Sequence, residues 1–331
     1  MARTPRKGHR DKRVVIDVLE RPDMEEKRAE IRLGLLRRPR EISSKFFYDD
    51  RGSALFERIC DLPEYYPTRT ERALLARFAE RIVSVSRADV LVELGSGSSS
   101  KTSLLLDAMA RARRLSLYVP LDVNESAVQQ VAADLTARYG GLRVRGLIGD
   151  FMKHLGHIPD GGRRLVIFLG GTIGNLRPHE ATALLSQVAA RMSAGEFFLL
   201  GTDLIKDVDR LEAAYNDAQG VTAEFNKNVL SVLNRLVDAD FDPDAFEHRS
   251  FYNRERNWIE MRLRSTRDQV VRLPGVGMEI AFDRGEEILT EISAKYDRDR
   301  VEDLLKKCGF QMVDWLTDPE NPFALTIAKK G

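Results

Sequence analysis

The stretch Ala88-Asp-Val-Leu-Val-Glu-Leu-Gly-Ser-Gly-Ser-Ser-Ser-Lys101 joins a buried-strand pattern to a glycine turn and then to a helical pattern from Lys101 to Ala110. This order is how a doubly wound α/β domain forms a nucleotide pocket at the carboxyl end of its first strand. Gly95 and Gly97 lack a Cβ, so their backbone can approach a ligand closely. The stretch therefore predicts a nucleotide-type site, and the strands that follow indicate which cofactor it takes.

Acidic residues follow the next two strand patterns. The pattern Leu115–Leu121 leads into Asp122, where a carboxylate can accept hydrogen bonds from ribose hydroxyls. The pattern Leu142–Ile148 leads into Asp150, for an exocyclic amine, and Phe151, for a purine face. Alternatively, Asp122 and Asp150 could each serve only as a cap for the helix that follows its strand.

The choice of cofactor depends on the glycine turn. A dinucleotide motif has a third glycine where this chain has Ser100, and Glu93, at the strand end, suits a ligand with an ammonium group. A fourth strand, Arg164–Leu169, leads into a polar loop that ends at Asn175. These strand ends resemble those of a class I S-adenosylmethionine-dependent methyltransferase, an α/β fold with a Rossmann-like doubly wound sheet. A nicotinamide-binding oxidoreductase and a non-catalytic cofactor-binding scaffold remain as alternatives.

Composition and residue counts limit the partners and the kinds of site that we expect. The 331 residues are 43% hydrophobic and 31% charged, with a net charge of +1, which gives no electrostatic case for nucleic acid or an anionic membrane. Two cysteines, Cys60 and Cys308, are too few for a disulfide framework, and the pair His154 and His157 lacks further ligands, so we expect no metal. No apolar run reaches the ~20 residues that span a bilayer. We expect a cytoplasmic monomer.

The pattern of elements predicts two domains. Residues 88–205 and 294–331 form the methyltransferase domain, which ends in a helix, Arg298–Cys308, and an antiparallel hairpin. Residues 206–293 interrupt it, with helical and then strand-like patterns, and join the N-terminal helices of residues 23–87 in a second, substrate-binding domain. Residues 1–22 are predicted to be a disordered basic tail. The N-terminal helices are predicted at Asp23–Arg37, Phe46–Ile59 and Arg69–Val85, and the loop Asp61–Thr68 is either a lid or a core plug.

Seven blocks spread along the chain resemble one particular family, the histidine-specific Nα-methyltransferases of ergothioneine biosynthesis. The similarity runs from about Glu30 to Ala328. The resemblance implies trimethylation of the α-amine of L-histidine to hercynine, by in-line attack of the neutral amine on the methyl group. The blocks are Lys45-Phe-Phe-Tyr-Asp-Asp-Arg-Gly-Ser53, Leu62-Pro-Glu-Tyr-Tyr-Pro-Thr-Arg-Thr-Glu71, Val92-Glu-Leu-Gly-Ser-Gly97, Gly174-Asn-Leu176, Leu200-Gly-Thr-Asp203, Phe225-Asn-Lys-Asn228 and Leu289-Thr-Glu-Ile-Ser293.

The resemblance also implies the site residues. Those around S-adenosylmethionine would be Tyr48, Gly95, Lys101, Asp122, Asp150 and Phe151, with Lys101 on the cofactor's carboxylate. Those around the amino acid would be Tyr65, Asn175, Tyr215, Met261, Glu291 and Ser293. Within these sets, Tyr48, Tyr65 and Asn175 would position the amine for transfer, Met261 would shape the pocket wall, and Glu291 and Ser293 would read the imidazole.

Some of these residues have simpler interpretations. Glu291 and Ser293 could be alternate residues on the solvent face of a strand, and Asn175 could only satisfy backbone groups in a turn. Ala294-Lys-Tyr296, beside the substrate block, departs slightly from the family pattern, so a relative that acts on tryptophan or another amino acid is the nearest alternative.

Overall fold

A computed structural model, which describes residues 13–19, 23–97, 99, 101–318, 320 and 323–331, contains a central eight-stranded sheet. Its spatial order is β1-β5-β4-β3-β6-β7-β14-β13, and β14 alone runs opposite to the other strands, pairing antiparallel with β7 and, in the predicted hairpin, with β13. The class I methyltransferase fold is confirmed. The strands are β1 (Val14–Val18), β3 (Val90–Leu94), β4 (Leu117–Asp122), β5 (Arg143–Ile148), β6 (Arg164–Phe168), β7 (Phe197–Asp203), β13 (Phe310–Thr317) and β14 (Phe323–Lys330).

Helices cover both faces of this sheet. Buried residues of α3, α4 and α5 pack in one core cluster with one face of the strands, while those of α7 and α10 pack in another with the opposite face. The helices are α3 (Tyr66–Ser86), α4 (Ser103–Arg111), α5 (Glu125–Arg138), α6 (Phe151–His154), α7 (Pro178–Ala190) and α10 (Arg298–Lys307).

Strand β3 lies at the centre of this arrangement. All five of its residues are buried because helices cover both faces, which explains its unbroken apolar pattern. The chain moves outward through β4 and β5 on one side of β3 and through β6 and β7 on the other. The order reverses next to β3, so a ligand crevice is expected at the carboxyl ends of β3 and its neighbours.

The N-terminal helices and the inserted segment share a separate hydrophobic core. A four-stranded sheet, ordered β2-β12-β9-β8, packs there with helices from both segments, and a two-stranded hairpin, β10-β11, completes it. The elements are α1 (Met24–Leu36), β2 (Arg40–Glu41), α2 (Asp50–Asp61), α8 (Val208–Ala213), α9 (Val221–Val237), β8 (Phe246–Asn253), β9 (Trp258–Ser265), β10 (Gln269–Leu273), β11 (Met278–Phe282) and β12 (Glu287–Ala294).

The two sheets meet where β7 and β12 end. Leu204 and Tyr296 form an isolated parallel bridge, in which the Tyr296 amide donates to the Asp203 carbonyl at 2.9 Å and the Ile205 amide to the Tyr296 carbonyl at 2.8 Å. Side chains at the carboxyl end of the cofactor sheet therefore lie beside those at the end of β12.

Part of the predicted disordered tail is a strand. Val14–Val18 pairs in parallel with β5, and Arg145 forms an ion pair with Asp17 at 2.8 Å. The basic composition of the tail concealed this short β-branched run, which extends the sheet at its edge. The other residues of that prediction, 1–12 and 20–22, and likewise Ser100, lie outside the described residues.

Two predicted helix boundaries were wrong. The expected helix Phe46–Ile59 is a 3₁₀ turn, Ser44–Phe47, followed by α2, because Asp49 caps α2 by accepting from the Gly52 amide at 2.7 Å. Helix α3 begins at Tyr66 rather than Arg69, since Pro67 is well suited to a first turn. Strand β11 was not predicted, and β12 was considered only as the alternative interpretation of the segment that contains Glu291 and Ser293. The break at Tyr48 leaves that ring 37% exposed beside the substrate sheet's core.

We expect the buried ion pair between Arg164 and Glu196 to be important for the stability of the cofactor domain. The guanidinium binds both carboxylate oxygens, at 2.8 and 2.7 Å, and both side chains are over 90% buried. Arg164→Ala should lower the free energy of unfolding by about 3–5 kcal/mol, because Glu196 would remain buried without its cation. Urea unfolding measures this. Arg267→Ala, which breaks an exposed pair with Asp242, is the control and should cost less than about 1 kcal/mol; equal losses would contradict the assignment.

Candidate active site

The glycine turn after β3 meets Phe151. Gly95 has φ +71°, and a Cβ built there would lie 3.6 Å from the Phe151 ring. Phe151 in turn packs edge-on against Phe168 at the end of β6, with ring centroids 5.3 Å apart. The carboxyl ends of β3, β5 and β6 therefore converge, and the turn borders open space at Gly97, where an added Cβ would meet nothing within 4 Å.

Asp122 and Asp150 both make backbone contacts. Asp122 accepts from the Gly97 amide at 2.8 Å and the Asn124 amide at 2.9 Å, and Asp150 accepts from the Met152 amide at 2.8 Å. These bonds fix the orientation of each carboxylate. A carboxylate has about four acceptor positions, so both retain capacity for a ligand.

Lys101 and Glu93 have partners within the protein. Lys101 forms an ion pair with fully buried Glu71, which also accepts from the Gly170 amide at 2.7 Å. Glu93 accepts from Thr102 and Tyr118, and burial raises the pKa of its carboxyl to about 7. The interpretation of Glu93 as an acid suited to an ammonium group stays a prediction, and the hydroxyls of Thr102 and Tyr118 already occupy part of its acceptor capacity. The role of Lys101 on a cofactor carboxylate stays a prediction.

The residues at these strand ends fit the chemistry of S-adenosylmethionine. The glycine turn faces the Phe151 ring at Gly95 and open space at Gly97, and the Ser96 hydroxyl between them is buried without a hydrogen-bond partner among the described residues. An unpaired buried hydroxyl costs free energy unless a ligand satisfies it. An apolar face beside unpaired polar groups suits a nucleoside carrying an amino acid.

Aromatic rings form one wall of the neighbouring pocket. Tyr48 contacts Phe56 and Phe225 at centroid distances of 5.7 and 5.8 Å, and Tyr65 contacts Phe56 and Tyr215 at 6.1 and 6.2 Å. Burial raises the pKa of Tyr65 above the usual tyrosine range, and the pKa of Tyr48, although that residue is 37% exposed, is raised by desolvation of its phenol and by the nearby Glu291 carboxylate. Both phenols therefore stay protonated at neutral pH and act as hydrogen-bonding groups rather than bases.

Asn175 lies at the end of a 3₁₀ turn, Thr172–Asn175, that packs onto β12. A Cβ on Gly174 would lie 2.8 Å from the Ala294 carbonyl oxygen and 3.5 Å from Ser293 Oγ, so only glycine permits this approach. Within the part of the chain that the structure describes, the Asn175 amide has no hydrogen-bond partner. It is thus available to a ligand. A residue that only stabilises the turn would instead use its side-chain amide for hydrogen bonds to nearby backbone groups.

Glu291 and Ser293 lie two residues apart on β12 and so face the same side of the strand. Glu291 is opposite Met261 in the register with β9, at a bulge, and its carboxylate has no hydrogen-bonding or ionic partner among the described residues. Burial raises its pKa to about 7, although Lys295 opposes the shift. Met261 and Ser293 are buried, so the interpretation of this strand face as a solvent face is wrong.

Sequence reasoning missed a buried charge cluster behind Ser293. Lys295 donates to Asp203 at 2.9 Å, to Tyr215 at 3.0 Å and to Ser293 at 2.9 Å. Lys206 also pairs with Asp203, which accepts from the Tyr66 hydroxyl at 2.7 Å. Burial would raise the pKa of Asp203, but the two lysines lower it. The available signal was Asp203 at a strand end together with Lys295 in the departure from the family pattern.

Every predicted substrate residue thus belongs to one connected set. Tyr65 contacts Tyr215, Tyr215 donates to Ser293 at 2.8 Å, and the Asn175 turn packs on Ser293. Glu291 and Met261 occupy the adjoining register position. The roles of these residues remain predictions.

The strand order, the glycine turn and the converging strand ends define a class I S-adenosylmethionine-dependent methyltransferase. The model of the family described as histidine-specific, SAM-dependent methyltransferase matches residues 27–330, and the chain belongs to this family. It is therefore an enzyme that takes S-adenosylmethionine, and the oxidoreductase alternative has no support.

Curated relatives span nearly the same length. A histidine N-alpha-methyltransferase of Mycolicibacterium smegmatis is 47% identical over 91% of this chain and 94% of its own. One from Mycobacterium tuberculosis is 45% identical, over 92% and 94% respectively. An L-tryptophan methyltransferase of Psilocybe serbica is 28% identical over 85% of this chain and 87% of its own.

Two further observations concern membrane spans and metal binding. No helix in the described ranges is long and apolar enough to cross a membrane. Among those same residues, no group of three or more His, Cys, Asp or Glu side chains is placed to hold a metal ion.

Proposed function

We propose that this enzyme transfers three methyl groups in succession to the α-amine of L-histidine, giving hercynine, a step of ergothioneine biosynthesis. The observation that carries the proposal is Glu291, a half-buried carboxylate without a partner in the described structure, two residues from the buried Ser293 hydroxyl. A partly desolvated acceptor of this kind favours a ligand with a ring N–H and penalises one without it. The named activity of the two bacterial relatives supports the same substrate.

In this proposal the amino acid's backbone end lies against Asn175 and Tyr65. The unpaired Asn175 amide offers both a donor and an acceptor, which suits a carboxylate beside an amine. The Tyr65 ring contacts Tyr215, so the backbone and ring subsites share one wall. These contacts fix the amine's position, and orientation of this kind accounts for much of the rate of a bimolecular transfer.

S-adenosylmethionine supplies an already activated methyl group, so the protein's contribution is orientation and exclusion of water. The amine must be neutral to accept each methyl, and the phenols of Tyr48 and Tyr65 can accept its N–H hydrogen bonds while remaining protonated. Proton release to solvent fits the 37% exposure of Tyr48 at the pocket's edge. The cofactor contacts of Gly95, Lys101, Asp122, Asp150 and Phe151 belong to the same proposal.

The proposal also assigns cofactor binding and substrate binding to different domains. The cofactor binds residues 88–205 and 294–331, while residues 23–87 and 206–293, which share one core, form the substrate domain. We propose further that the enzyme acts as a monomer, on a free amino acid in the cytoplasm rather than on nucleic acid or at a membrane.

A time course with histidine and S-adenosylmethionine, followed by mass spectrometry, tests the extent of reaction. We expect mono- and dimethylhistidine to appear and then to convert to the trimethylated betaine. Accumulation of a mono- or dimethylated end product would contradict trimethylation while leaving the cofactor assignment intact.

A further inference from the structure

Lys295 has a place in the site that the sequence comparison did not assign. Its side chain is only 1% exposed, and it lies at the junction where β12 of the substrate sheet reaches Asp203 of the cofactor sheet. Its backbone amide is fixed by the Asn257 carbonyl at 2.8 Å. The ammonium therefore has a defined position behind the two hydroxyl groups of Tyr215 and Ser293, which we call the hydroxyl pair.

The protons of this cluster can be counted. An ammonium has three protons, and those of Lys295 go to Asp203 at 2.9 Å, Tyr215 at 3.0 Å and Ser293 at 2.9 Å. Tyr215 donates its single proton to Ser293 at 2.8 Å. Ser293 Oγ has two lone pairs, and both are then occupied by incoming donors. Its own proton has no acceptor among the described residues.

The charge of Lys295 fixes the direction of its own hydrogen bonds to the hydroxyl pair. Burial would lower its pKa, but Asp203 and the hydroxyl of Tyr215 raise it, so the side chain stays an ammonium that can only donate. Lys295 donates to both members of the hydroxyl pair, and one of their two hydroxyl protons forms the hydrogen bond between them. The other hydroxyl proton is therefore available for donation to a group outside the pair. In the observed arrangement that proton belongs to Ser293.

We infer that Lys295 is a specificity-determining positioning residue, which makes Ser293 a hydrogen-bond donor to the substrate ring. Glu291, two residues earlier on the same strand face, offers only acceptor oxygens when ionised. Together they form an acceptor–donor pair that matches a neutral imidazole, which has one N–H and one ring lone pair. The inference rests on the proposed function, because it concerns the ring of the same amino acid.

This pairing of one acceptor with one donor distinguishes histidine from ring systems that could bind to a carboxylate alone. An indole has one N–H and no ring acceptor, so it can satisfy Glu291 but leaves the Ser293 proton unpaired. Without Lys295, one lone pair of Ser293 is free, and a ligand N–H can donate to it. Ser293 could then accept instead of donate, and the requirement for a ring lone pair would weaken.

The test measures binding by calorimetry, with S-adenosylhomocysteine present so that no methyl transfer occurs. The ligands are histidine, pyrrol-3-ylalanine, which keeps the N–H at the ring position remote from the side chain but has no ring lone pair, and thiazol-4-ylalanine, which keeps the lone pair of the nitrogen next to the side chain but has no N–H. We expect the wild-type enzyme to bind histidine at least about tenfold more tightly than the pyrrole. In Lys295→Met that ratio should fall to within about threefold, while the ratio of histidine to thiazole, which reports Glu291, should change little.

Lys206→Met is the matched control, because Lys206 is a second buried cation on Asp203 that does not contact the hydroxyl pair. It should keep both wild-type ratios. If Lys295→Met weakens all three ligands by one factor, Lys295 is only structural and the inference is overturned.

Ser293→Ala covers the case in which Lys295→Met does not fold. It removes the donated proton and leaves Lys295 in place, so the histidine-to-pyrrole ratio should fall as well; an unchanged ratio would overturn the inference. Failure of the proposed function is distinct, since wild-type enzyme would then neither bind nor methylate histidine.

Discussion

Glu291→Gln is expected to weaken histidine binding by about 10- to 100-fold, since it replaces a charge-assisted hydrogen bond with a neutral one. The same substitution should stabilise the ligand-free protein at pH 8. Glu291 has a pKa of about 7 in the folded protein against 4.5 in the unfolded chain, because burial disfavours its charge. The folded state therefore binds this proton more tightly, and the carboxylate opposes folding above pH 7.

The stabilisation by glutamine should be roughly 1–3 kcal/mol above pH 7, should decline as the pH falls from 7 to 4.5, and should vanish below 4.5, where both states are protonated. Urea unfolding at several pH values, with histidine titrations at pH 8, measures both effects. Glu287→Gln is the control on the same strand, because Glu287 pairs with Arg249 and Arg262. A Glu291 variant that binds histidine normally, or that is destabilised at pH 8, would contradict the assignment.

Asn175→Ala is expected to lower kcat/KM for histidine by about 100-fold, because a substrate displaced by about 1 Å reacts far more slowly. Cofactor affinity should change by less than about threefold, since the cofactor residues lie at other strand ends. The free energy of unfolding should change little, because the amide has no partner in the described structure. Steady-state kinetics, cofactor calorimetry and urea unfolding separate the three quantities.

Asn234→Ala provides the opposite pattern. Asn234 makes two hydrogen bonds to the backbone of Phe241, at 2.8 and 2.9 Å, away from the pocket residues. Its loss should cost roughly 1–2 kcal/mol of stability and leave kcat/KM unchanged. Equal loss of cofactor binding and activity in Asn175→Ala would sink the proposed separation of the cofactor and substrate subsites.

The sheet could be predicted from the sequence because its signals are local. The unbroken apolar run of β3 and the residues at the ends of β3, β4 and β5 identify a doubly wound fold, and a fold of this kind brings strand ends to one edge. The short edge strand Val14–Val18 was missed because its five residues follow a basic stretch, and the break at Tyr48 was missed because a capping aspartate decides it.

Some residues of the site could be predicted from the sequence and others could not. Glu291 and Ser293 could be proposed only through the family blocks, since their pattern also suits a solvent-facing strand, and burial by a second core decides between the two. Glu93 was interpreted as suited to a ligand, and its contacts with Thr102 and Tyr118 were missed, because side chains 9 and 25 residues away cannot be paired with it by spacing. The contact of Lys295 with Asp203 joins two sheets and likewise has no local signal.

The most direct test of substrate identity is to incubate the purified enzyme with S-adenosylmethionine and an equal mixture of the common amino acids, and to identify methylated products by mass spectrometry. The acceptor–donor pair of Glu291 and Ser293 predicts that histidine alone shifts and ends as its trimethylated betaine. Methylation of tryptophan or another amino acid in preference to histidine would contradict the assignment of the pocket, while the fold and the cofactor would stand.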